Sequence, residues 1–60
     1  MTGAALKRQR QRLGLTQVEL AKRLEVHEIT LVRWEMDRVK IPKIAAMAVA
    51  LLVMKEANKK

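Results

Sequence analysis

The sequence predicts an all-α fold, a small bundle of four helices. Three observations carry that expectation. Gly and Pro together number three in 60 residues, so little interrupts a helix. The apolar residues are mostly Ala, Leu and Met, the better helix formers. Apolar positions also recur at helical spacing behind recognisable start signals.

The composition excludes several functions. The length allows one domain, expected over residues 1–60, and leaves no room for a two-domain enzyme. There is no Cys, so disulfides and thiolate metal sites are ruled out. One His and six scattered acids give no expectation of a metal site, and no cofactor or small-molecule ligand is indicated. Trp34 is the one aromatic residue, too few for stacking on single strands. Thirteen Lys and Arg against six Asp and Glu leave a net charge of +7, with a pI near 10.7. That balance points to a polyanion: DNA, RNA or an anionic membrane. A membrane partner is disfavoured because the bases are spread over several segments instead of lining one helix. The longest apolar run, 44–54, is too short for a bilayer and misplaced for a signal peptide, so a cytoplasmic setting is expected. A chain this small is also expected to lean on oligomerisation or a bound partner.

The first helix is expected over residues 4–12. Leu6 and Leu13 share a face, and Arg10 lies on the same stripe, where a charge needs a partner or a route to water. Gly14 ends the helix, since it takes positive φ without steric cost. Thr16-Gln17-Val18-Glu19 is a capping box that opens the second helix, which runs to about Leu24. Leu15 and Leu20 have the spacing of a hydrophobic staple around it. The third helix restarts three residues later with His27 as N-cap, and Val26 and Leu31 form a second staple. Leu31 and Trp34 share one face and are expected in the core; Ile29 and Val32 form another pair on a different face. Two stapled helices with so short a joint must cross steeply, which is helix-turn-helix geometry. Residues 36–41 read as a loop. Pro42 fits the first position of a fourth helix reaching about Ala57. Every residue of 44–54 is apolar, so this helix is either central in the core or covered by another molecule. Lys55, Lys59 and Lys60 end the chain with positive charge, and the last residues are expected to fray.

The run Leu13-Gly14-Leu15-Thr16-Gln17-Val18-Glu19-Leu20-Ala21-Lys22-Arg23-Leu24, followed by Val26, Leu31, Trp34-Glu35 and Pro42, resembles the lambda-repressor/Cro type helix-turn-helix family. The likeness covers roughly residues 6–52, with the helix-turn-helix itself at about 17–35. It implies a lambda-repressor-like bundle of four helices, or five in fuller members. There are departures. The family's usual Gly at the end of the second helix is Glu25 here, which implies about 1 kcal/mol of strain or a different turn. Its usual Asn-Gly after the Glu is Met36-Asp37, and Asp tolerates a left-handed conformation. The fifth helix is missing or merged into a long fourth one.

The resemblance implies that the third helix enters the major groove of DNA. His27, Glu28, Ile29 and Arg33 would then face bases, and Gln17, Arg38, Lys40 and Lys43 phosphates. Arg33 can donate twice to guanine, Ile29 can pack on a thymine methyl, and Glu28 can accept from cytosine N4. The plainer alternatives stand beside these. Arg33 is otherwise a solvated surface base, while His27 and Glu28 read more simply as capping or surface residues. Ile29 and Val32 equally suit a protein-contact patch. The family also commonly pairs a first-helix base with the acid after the Trp, implying an Arg10–Glu35 ion pair; two independent surface charges are the alternative. No catalytic constellation is present: His27 and Glu28 are adjacent and point apart, and there is no Ser, Cys or Gly-rich phosphate loop.

The resulting expectation is a non-enzymatic, sequence-specific DNA-binding transcriptional regulator. It would be a repressor on a palindromic operator, dimeric through the fourth helix. The competing expectation is a helix-turn-helix scaffold serving as a protein-interaction module, such as an antitoxin.

Overall fold

The computed structural model describes residues 1–57. Four helices follow in order: α1 (Gly3–Arg12), α2 (Gln17–Arg23), α3 (Glu28–Glu35) and α4 (Lys43–Ala57). No strand occurs among the described residues. The basic end at 58–60, where fraying is expected, lies outside them.

The first three helices end in the same way. In each, the residue after the C-cap takes positive φ: Gly14 at 69°, Glu25 at 57° and Asp37 at 59°. Each end closes with the paired backbone bonds of a Schellman motif. Gly14 and Leu15 donate to the carbonyls of Gln11 and Arg10; Glu25 and Val26 to those of Lys22 and Ala21; Asp37 and Arg38 to those of Trp34 and Arg33. Only Gly14 is free of Cβ crowding there. Glu25 therefore keeps the family's turn and carries the left-handed strain, resolving the two readings of that departure.

The starts are set by side chains. Thr2 caps α1 by accepting from the Ala5 amide at 3.1 Å, which starts the helix one residue earlier than expected. At α2 the capping box is complete: Glu19 N–H donates to Thr16 Oγ1 at 3.1 Å, and Thr16 N–H donates to Glu19 Oε1 at 2.8 Å. His27 stands at the N-cap of α3 but makes no side-chain cap bond. Pro42 lies one place before the first residue of α4, and its carbonyl accepts from the Ala46 amide. That differs from the expected position by a single residue, and the proline ring suits both.

Leu6, Leu20, Ala21, Leu31, Trp34, Ile41 and Val49 form the core. Leu13, Leu15, Leu24, Val26, Ala45, Ala46 and Leu52 pack against it, so both staple pairs lie within or against one cluster. The helix α1 packs on α3 and α4, and α2 packs on α3. Gly3 lies where α1 comes up against the end of α3. A Cβ at that position would stand 2.6 Å from the Trp34 carbonyl oxygen and closer still to that of Glu35. The positive end of α1 thus abuts the negative end of α3, and Gly3 N–H donates to Asp37 Oδ1 at 2.8 Å.

Of the apolar run in α4, Val49 alone is fully buried, with Ala45, Ala46 and Leu52 half-buried beside the core. Ile44, Met47, Leu51 and Met54 are exposed. The helix is therefore core on one side and bare on the other.

Candidate nucleic-acid interface

The exposed surface of α3 follows from which of its faces is used up. Leu31 and Trp34 are buried, holding the helix to α1 and α2. With 3.6 residues per turn, Ile29 and Arg33 fall on the opposite side and Glu28 on its flank. All three are exposed, as is His27 before them, and Ile29 is 55% exposed despite being fully apolar. Ile29 and Arg33 stand one turn apart and are neighbours on this surface. Val32, expected outward with Ile29, is half-buried.

Arg38 and Lys40 are exposed in the loop after α3, and Lys43 is exposed at the first position of α4. Among the described residues the one ion pair within 4 Å is that of Arg10 with Glu35. Arg33, Arg38, Lys40 and Lys43 thus have no acidic partner there, which leaves their charge for an external anion.

Beneath this surface lies a buried polar joint. Arg10 Nε donates to Glu35 Oε2 at 2.7 Å, and Nη2 donates to Oε1 at 3.3 Å. Its Nη1 donates to the Leu15 carbonyl at 3.1 Å. Gln17 Nε2 donates to Glu35 Oε1 at 3.2 Å. The Arg10 and Glu35 side chains are only 13% and 4% exposed. One carboxylate therefore ties the end of α3 to α1 and to the first residue of α2, while the same guanidinium fixes the loop at Leu15. Both helices of the helix-turn-helix are referred to one anchor.

Gln17 is the site residue whose use differs most from expectation. Its amide was expected toward phosphate, yet it turns inward to Glu35. Its position next to the Glu35 carboxylate decides this, since a desolvated carboxylate draws in available donors. Beside it, Glu19 closes the capping box. That carboxyl is held below the ordinary carboxylate range, first by the Thr16 backbone N–H, then by the Thr16 hydroxyl, with Arg23 and Lys22 adding attraction.

Sequence reasoning missed the Gly3–Asp37 contact. The signal was present: a Gly opening an Ala-rich helix is a poor helix former without a packing reason. No group of three or more His, Cys, Asp or Glu among the described residues could hold a metal ion. No helix among them is long and apolar enough to cross a membrane.

The fold and the exposed third helix define a small helix-turn-helix domain. A family model described as Helix-turn-helix matches residues 6–52. The chain belongs to this lambda-repressor/Cro type helix-turn-helix family, a family of DNA-binding domains that is not typically enzymatic. No curated protein and no solved structure matches at a significant level.

Proposed function

We propose that residues 1–60 act as one domain of a transcriptional repressor that reads duplex DNA with α3 in the major groove. The observation that supports it best is the division of α3 into a buried Leu31–Trp34 face and an exposed face bearing Ile29 and Arg33. Arg33 is assigned to a guanine edge, Ile29 to a thymine methyl, and His27 and Glu28 to the entering end, where Glu28 accepts from a cytosine amino group. Arg38, Lys40 and Lys43 are assigned to phosphates. Gln17 contributes to them only through the amide hydrogen not spent on Glu35. The chain binds as a homodimer through α4 to a palindrome with half-sites about 34 Å apart. It works in the cytoplasm without cofactor or catalysis.

Gel shifts with selected and random duplexes at two salt concentrations test this reading. Tight binding to the selected duplex, falling steeply with salt, is expected. Equal affinity for selected and random duplexes removes sequence-specific regulation. The second reading, a protein-interaction module such as an antitoxin, is favoured by Ile29 standing exposed beside the acidic Glu28. Failure to bind either duplex would support it.

A further inference from the structure

The side chains that α4 leaves outside the core are regularly spaced. Ile44, Met47, Leu51 and Met54 are 81%, 63%, 52% and 60% exposed. Their intervals of three, four and three are the a and d positions of a heptad. Val49, fully buried, falls on the opposite side of the helix, which is why one uninterrupted apolar run serves two surfaces. The positions flanking the stripe are Ala48 and Ala50, small enough for a second helix to approach within about 8–10 Å.

We propose that this stripe is the seam of an antiparallel helix pair formed with α4 of a second copy of this chain. Ile44 packs on Met54 of the partner subunit, and Met47 packs on Leu51 of the partner subunit. The proposal rests on the dimeric reading above and adds its register.

Two observations name a second copy as the occupant. The stripe is self-complementary: turned end for end, each of its four apolar side chains meets another of the four. Four side chains at these exposures offer roughly 500 Å² per protomer, or about 1,000 Å² across the pair, the threshold of a specific interface. The helix dipole selects the direction. The first turn of α4 has no acid and begins with Lys43, at the end where the helix dipole is already positive. A parallel pair sets the two Lys43 ends side by side. An antiparallel pair separates them by the length of the stripe, about 15 Å, and sets each beside the negative end of the other helix, level with Lys55 of the partner subunit.

The chain has no cysteine, so Ile44→Cys and Met54→Cys each introduce a single thiol at an exposed position. Each 60-residue variant is oxidised alone and as an equal mixture, with the unsubstituted chain sedimented in parallel. The expected result is a mixed disulfide in the mixture, at least tenfold above the covalent dimer from either variant alone. Covalent dimers from each variant alone indicate a parallel pair and overturn the register. A sedimenting dimer with no disulfide in any arm places the contact on another face and overturns the seam, leaving the dimeric reading intact. A chain that stays monomeric at high micromolar concentration overturns both.

Discussion

Arg10 holds Glu35 by two parallel hydrogen bonds across the base of the third helix, from Nε at 2.7 Å and Nη2 at 3.3 Å. A pair this well shielded is stabilising only while both members remain. Arg10→Met leaves a buried carboxylate, and Glu35→Gln leaves a guanidinium with a neutral partner. Each single change is expected to cost about 3–5 kcal/mol, and the double change less than their sum. Denaturant unfolding of the four proteins of the cycle gives the coupling energy. A value near zero would show the two charges acting independently.

Glu25 offers the opposite prospect. Its φ of 57° lies where a side chain is crowded, and the motif asks nothing of that side chain. Glu25→Gly is expected to stabilise the fold by about 1 kcal/mol, a rise of roughly 4–8 °C in Tm for a domain of this size. A fall in Tm would mean the carboxylate has a use that its geometry does not reveal.

Gly3 has no such latitude. The atoms a Cβ would strike are backbone carbonyls of α3, which cannot rotate away like a flexible side chain. Gly3→Ala is expected to cost about 1–3 kcal/mol through overpacking, although Ala is the better helix former. Thermal unfolding that matches or exceeds the parent's would show that α1 shifts freely against α3.

Arg33 and Lys40 are expected to fail differently. In the proposed roles, Arg33→Ala is expected to remove a base contact, losing about 1–3 kcal/mol on the preferred duplex and relaxing choice at one base pair. Lys40→Ala is expected to remove the proposed phosphate contact, weakening all duplexes alike and lowering the salt slope by about one. Titrations on matched and mismatched duplexes separate the two. Uniform loss in both variants would refute the assignment of roles.

Glu19 sets an acid limit on α2. Its carboxyl is held low in the folded chain by the Thr16 N–H and hydroxyl. A depressed folded pKa contributes stability above the unfolded value, and that contribution disappears as pH falls through the folded value. Glu19→Gln is therefore expected to lower stability at neutral pH and to flatten the acid side of the profile, changing little where the parent carboxyl is already protonated. Denaturation midpoints measured between neutral pH and the lower carboxylate range test this.

The four helices are legible along the chain, because start and stop signals are local. Thr16 and Glu19 find each other within one turn, and Gly14 and Asp37 permit the φ that closes a Schellman motif. The Leu31–Trp34 spacing likewise marks one face of α3 for burial and exposes Ile29 and Arg33 opposite. Tertiary structure decided what spacing along one helix cannot express. It brought Asp37 to the Gly3 amide, 34 positions away in sequence. It drew the Gln17 amide inward to Glu35, since a buried carboxylate recruits donors from whichever elements surround it. It also divided the apolar run of α4 into a core side and a bare side. Composition could not make that division, because the residues on both sides are equally apolar and only α1 and the core around Val49 select one of them.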